Sequence, residues 1–233
     1  MFRFTKTIIG KNNNKVIIFL NGWKGKSWHI LPIANLLRFV GYYCIVYSYD
    51  KIVLSPNLKE TRKNILQVKK NVIEQIKSLE NQDKKEFTIL GISLGSVIGV
   101  LVANESPAVT KLILNSIGAD FAETVWTWEI VNDGFKKQLL EKQSVTLERL
   151  KQEWTSISPI YHIDNLKKRK LLIYLSKRDE IIPYKHGLSF IGGLKKRDCS
   201  FILKTSFNFS HLISCAFNFY NIFDYIDFLR NKK

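Results

Sequence analysis

Short apolar runs alternate with longer stretches of helical periodicity, and this alternation restricts the chain to few architectures. The runs fall at residues 15–20, 42–49, 86–92, 109–115, 170–175 and 200–203. Between them, residues 27–40, 55–79 and 94–103 read as helices, and 211–229 as a terminal one. Strands separated by helices need crossover connections, which predicts an α/β fold with a mostly parallel central sheet. The runs are apolar almost throughout, so helices are expected on both faces of the sheet. Residues 2–9 leave room for only one strand ahead of residue 15, so an abridged N-terminal part of the fold is expected. Between the fourth and fifth runs lies a connection of about fifty residues, too long for a simple crossover. The expected organisation is a core of residues 1–117 and 169–233, with 118–168 as a helical cap or lid.

Of 233 residues, 45% are hydrophobic and 24% charged, ample for a buried core and contrary to disorder. No apolar stretch reaches the length of a membrane span, and the N-terminus lacks the apolar segment of a secretory signal. A cytoplasmic protein is therefore expected. Lys and Arg number 36 against 20 Asp and Glu, a net charge of +16. The lysines are scattered in pairs and no nucleic-acid-binding motif accompanies them, so nucleic acid is not an expected partner. Weak association with anionic membranes stays open, as does an anionic substrate such as a phospholipid head or a coenzyme A thioester. Cys44, Cys199 and Cys215 show no paired spacing and read as buried free thiols. No dinucleotide or phosphate-loop motif and no metal-ligand spacing occurs, so neither a cofactor nor a metal is expected.

The segment that carries chemistry is Gly91-Ile92-Ser93-Leu94-Gly95, set between an apolar strand and a small-residue helix. A serine at a sharp strand-to-helix turn is held in a strained backbone with its hydroxyl exposed. The glycines on either side let backbone approach closely, and the helix N-terminus favours developing negative charge. A nucleophilic serine needs a base, and the base an orienting partner. Among four histidines, His211 follows the last strand. Asp179 follows the strand before it, with Glu180 as the adjacent competitor.

Together these pieces resemble the α/β-hydrolase superfamily over nearly the whole chain. Asn21-Gly22-Trp23 resembles its early His-Gly turn, Gly91 to Gly95 its nucleophile elbow, Asp179 with Ile181-Ile182-Pro183 its acid turn, and His211-Leu212 its terminal histidine turn. The resemblance implies Ser93 as nucleophile, His211 as general base and Asp179 as orienter. It further implies an oxyanion hole from the backbone N–H groups of Trp23 and Leu94. Two positions depart from the pattern, Asn21 in place of the usual His and Ser210 in place of the Gly before His211.

The expected cap carries Phe121, Val125, Trp126, Trp128, Ile130 and Trp154. An aromatic roof over a polar point suits an apolar acyl chain, which makes Trp126, Trp128 and Trp154 candidate substrate contacts. The terminal stripe that includes Phe217, Tyr220, Phe223 and Tyr225 reads as a sheet-covering helix. The resemblance therefore implies a serine hydrolase cleaving a carboxylic ester or thioester of a small apolar acyl substrate. Amidase, acyltransferase or carbon–carbon hydrolase chemistry on the same triad, and a non-catalytic binding role, are the alternatives.

Overall fold

The computed structural model describes residues 2–10, 13–128, 135–143, 145–207, 209–219 and 221–230. Ile130 and Tyr220, two of the expected apolar positions, lie outside these residues. Seven strands form one sheet: β1 (Phe4–Ile9), β2 (Lys15–Leu20), β3 (Tyr43–Tyr49), β4 (Glu86–Ile92), β5 (Val109–Asn115), β6 (Lys170–Ser176) and β7 (Phe201–Ser206). Their order is β1-β3-β2-β4-β5-β6-β7. β1 runs antiparallel to β3, and every other pair is parallel. β1 carries only half-buried and exposed residues, as an edge strand can, whereas Val16 to Leu20 and Cys44 to Tyr49 are buried without interruption.

Alternate residues along each inner strand feed two separate cores. Val16, Ile18 and Leu20 pack with α2 (Leu58–Glu80) and α3 (Leu94–Glu105). Ile17 and Phe19 point the other way, to α1 (Ser27–Phe39) and to the helix Ile222–Arg230, through Ile30, Ile33, Leu37, Tyr225 and Phe228. α2 starts later than the Ser55-Pro56 signal predicts. Asn57 takes the cap, its side-chain oxygen accepting from the N–H groups of Lys59 and Glu60, while Ser55 bonds to Thr61 and Glu60.

The connection after β5 contains no strand among the described residues. It carries α4 (Phe121–Trp126), α5 (Phe135–Gln143) and α6 (Leu147–Trp154), then short 3₁₀ turns at Thr155–Ile157, Pro159–His162 and Asp164–Lys168. Its later turns lie against α3, and Ile160 N–H donates to Ala119 O at 2.8 Å, which ties the return path to the body. α7 (Tyr184–Lys196) follows β6. The single terminal helix expected over 211–229 is two, α8 (His211–Phe219) and α9 (Ile222–Arg230). Asn221 stands between them, with its side-chain amide on the Asp224 carboxylate and its carbonyl accepting from Tyr225 N–H, a polar start for α9. The break lets α8 border the cavity at the strand ends while α9 covers the sheet. The three cysteines are free and buried, and burial pushes the Cys44 thiol up to about 12. No described helix is long and apolar enough to cross a membrane.

Candidate active site

Loops leaving the carboxyl ends of β2, β4, β6 and β7 converge on one point, the edge where open α/β sheets bind ligands. At the end of β4 the chain turns through Ser93, whose φ of 53° and ψ of −115° lie in a region that L residues rarely adopt. Two contacts hold the turn. Ser93 N–H donates to Asn115 O at 2.8 Å, and Ser96 N–H donates to Ser93 O at 2.8 Å. A Cβ on Gly91 would lie 2.5 Å from Gly95 O, so the elbow closes only with glycine there.

His211, the first residue of α8, places Nε2 3.1 Å from Ser93 Oγ. Its Nδ1 lies 2.9 and 2.8 Å from the two carboxylate oxygens of Asp179. Asp179 is fixed in turn. Its Oδ1 accepts from the N–H groups of Ile181 and Ile182 at 3.0 and 2.7 Å, and its Oδ2 accepts from Ser116 Oγ at 3.0 Å. Glu180 does not meet the imidazole; it accepts the backbone N–H of His211 at 2.9 Å and so anchors the turn that carries it. No sequence signal marks Ser116, and Cys215 carries none beyond that of a buried free thiol. Ser116 follows β5 with a φ of 59°, and Cys215 Sγ lies 3.8 Å from Ser116 Oγ and 3.9 Å from His211 Nε2. Cys215 sits one turn along α8 from His211, a spacing that carries no motif.

Burial of His211 by itself disfavours the imidazolium, but Cys215 beside Nε2 and the bond and charge of Asp179 reverse this and raise its pKa. The raised pKa stabilises the fold fully below the ordinary value of 6.5, and this contribution is lost as pH rises through the raised value. Proton acceptance at Nε2 runs the other way: it needs the neutral ring and grows over the same rise. With Ser93 as nucleophile, the rate of its acylation is thus expected to climb with pH through a midpoint above 6.5. Asp179→Asn is expected to shift that midpoint down and to cut the plateau by about 10⁴-fold, because the ring loses its orienting partner. Stopped-flow acylation across a pH series reads both, and an unmoved midpoint in the variant would contradict the assignment of the shift.

The β2 loop brings Trp23 to the same point. Asn21 fills the place of the family histidine and ties the loop to β3, its amide donating to Tyr47 O at 3.1 Å and Ser48 Oγ at 2.7 Å. Gly25 N–H closes a tight turn onto Gly22 O, and the Trp23 indole N–H donates to Lys51 O at 2.7 Å. Among the described residues neither the Trp23 nor the Leu94 backbone N–H has an acceptor. Leu94 is the first residue of α3, where helix geometry leaves its N–H unpaired.

Ser93 and His211 open into a cavity of about 600 Å³, walled by Leu54, Val97, Phe121, Val125 and Ile181 among others. Trp128 lines it and packs edge-on against Trp23, with ring centroids 5.3 Å apart and Phe135 beside both. Trp126 is half-buried and outside the cavity wall. Trp154 is wholly buried elsewhere, against Phe121, with its N–H on Leu58 O. Of the three candidate tryptophans, the geometry brings only Trp128 to the cavity, and His29 also lines it.

No curated protein sequence matches the chain significantly. An acylaminoacyl peptidase in complex with Z-Gly-Gly-Phe-chloromethyl ketone shares the fold with a TM-score of 0.71 at 21% identity, over 97% of this chain and 39% of the peptidase. This chain thus spans about two fifths of that protein's length. The esterase Pf2001 of Pyrococcus furiosus gives 0.66 at 14% identity, over 98% of this chain and 91% of the esterase. Est1E of Butyrivibrio proteoclasticus, with ferulic acid bound, gives 0.59 at 17% identity over 97% and 94%. The family model described as the prolyl oligopeptidase family matches residues 60–232, a span holding Ser93, Asp179 and His211. The chain belongs to the prolyl oligopeptidase family of serine hydrolases, within the α/β-hydrolase superfamily.

Proposed function

We propose that this serine hydrolase cleaves a carboxylic ester or thioester of an apolar acyl group, with Ser93, His211 and Asp179 as its triad. The observation that carries the reading is the 3.1 Å approach of His211 Nε2 to Ser93 Oγ at the floor of an apolar cavity. Ser93 Oγ attacks the acyl carbon as His211 Nε2 takes its proton. The oxyanion is received by the N–H groups of Leu94 and Trp23, each donor worth about 10²–10³ in rate. Collapse breaks the ester bond, and the leaving alcohol or thiol departs with the proton from His211. Water, deprotonated by His211, then attacks the acyl-serine and frees the acid. The helices between Gly118 and Lys168 act as the cap, and Trp128 and Phe121 hold the acyl chain. The family match favours a second reading, cleavage of an oligopeptide by the same steps.

Nitrophenyl esters of increasing chain length, compared with acylated peptide amides, separate the two. On the ester reading, kcat/KM rises from acetate to octanoate. Trp128→Ala then lowers octanoate turnover about tenfold or more and acetate turnover little, because apolar contact is lost only with the longer chain. A flat chain-length profile with faster amide cleavage would give the site to peptides.

A further inference from the structure

A second cleft, of about 490 Å³, lies on the far side of the β2 loop from the catalytic cavity. The two share a wall, since Lys24 and Gly25 line both. Their chemistry differs. The catalytic cavity is walled mostly by apolar side chains, whereas Arg3, Lys24, Lys26 and Lys51 line the second, with Ser48 and Tyr49 buried below them. Among the described lining residues one carboxylate, Asp50, lies with these cations. Elsewhere many cations are paired, as in Lys69–Glu105, Lys151–Glu123, Arg62–Glu153 and Lys204–Asp224. Arg3, Lys26 and Lys51 have no carboxylate within ion-pair distance among the described residues. Like charges gathered around a concave surface repel one another and focus a positive potential, an arrangement that an anion relieves.

We infer that this cleft binds a phosphate-type anionic group carried by the same molecule whose acyl chain enters the catalytic cavity. The inference rests on the proposed reading of the Ser93 site for its acyl half, and on the shared wall for the link between halves. The substrate class is an amphipathic acyl ester or thioester with a phosphate-bearing portion, which reaches from Ser93 over the Lys24-Gly25 turn. Trp23 joins the two sides, since its indole hydrogen-bonds to the carbonyl of Lys51 and its ring carries the Lys24 ammonium 4.4 Å from the centroid.

The test compares wild type with the triple variant Arg3→Gln, Lys26→Gln, Lys51→Gln, all at exposed positions. Inorganic pyrophosphate and coenzyme A are titrated into each by calorimetry at low and physiological salt. Vesicles of phosphatidylglycerol in phosphatidylcholine are assayed by sedimentation. Salt-sensitive binding of the soluble anions, weakened about tenfold in the variant, supports the inference with a soluble phosphate as the source. Binding to the anionic vesicles alone, lost in the variant, supports it with a lipid headgroup as the source. Octanoyl-coenzyme A and nitrophenyl octanoate share an acyl chain, so the ratio of their kcat/KM values should fall about tenfold in the variant if the soluble source holds. Wild type that binds none of the three probes, or a variant that binds them equally well, overturns the inference. A wild type that binds anions but takes no fluorophosphonate label keeps the anion cleft and removes the ester reading, so the two failures are told apart.

Discussion

Ser93→Ala is expected to abolish fluorophosphonate labelling and to lower ester turnover by at least about 10⁴-fold, with the fold intact. His211→Ala should do the same to turnover, since without Nε2 nothing at 3.1 Å accepts the proton. The two losses should not add, because serine and imidazole act as one unit. Ser93 also stores strain. Its positive φ is unfavourable for any residue with a Cβ, so Ser93→Gly should be as inactive as the alanine variant yet more stable by about 1 kcal/mol. Calorimetric melting of both variants checks this. A glycine variant no more stable than the alanine one would mean that the turn is not strained at this residue. Residual activity of Ser93→Ala near that of wild type would move the nucleophile elsewhere.

Gly95→Ala should be the most damaging glycine-to-alanine change among the described residues. A Cβ there would overlap the Leu20 carbonyl oxygen and lie 2.5 Å from its carbon and 2.8 Å from Asn21 O. These are backbone atoms at the end of a central strand, so no side-chain rotation relieves the clash. Either α3 moves off β2 or the strand gives way. Severe overpacking of this kind costs about 4 kcal/mol or more, a large part of a total of about 5–15. For a domain of this size that is a fall in melting temperature on the order of 10 °C, or no soluble protein. A melting temperature within two or three degrees of wild type would show that the elbow can relax, and activity would then report how far Ser93 had moved. Gly192, by contrast, has open space where a Cβ would stand, and its alanine variant is the control.

The sheet was readable because its inner strands are buried on both faces and leave unbroken apolar runs, as in Ile17 to Leu20 and Leu171 to Leu175. The meeting of Ser93 and His211 was readable because each turn follows a strand and carries a local pattern. Partners without a pattern were not. Ser116 is one more polar residue after a strand, yet its hydroxyl meets Asp179 across 63 positions of sequence. Glu180 and Asp179 are adjacent carboxylates, and only the path of the chain decides that one faces the ring and the other the backbone N–H of His211. α7 was obscured by Gly187, Gly192 and Gly193, which dilute a helical pattern. Two of them answer to neighbours: a Cβ on Gly187 would lie 2.7 Å from a Leu175 methyl, and one on Gly193 would strike Ile160. Trp128 and Trp154 are alike as letters. The former lines the cavity and the latter fills the core beneath α4, a difference of facing that composition does not encode.

Trp23 ties together parts that selection would treat as separate. Its peptide N–H is the proposed oxyanion donor, its indole is bolted to Lys51, and its ring face supports Trp128 and Phe135. A change of roof that admits a bulkier acyl chain therefore presses on the residue proposed to stabilise the transition state. On the proposed function, selectivity and turnover share a single hinge point. Variants selected for new chain lengths should come with altered rates, and second substitutions that restore the rate should gather around residues 23, 51 and 128.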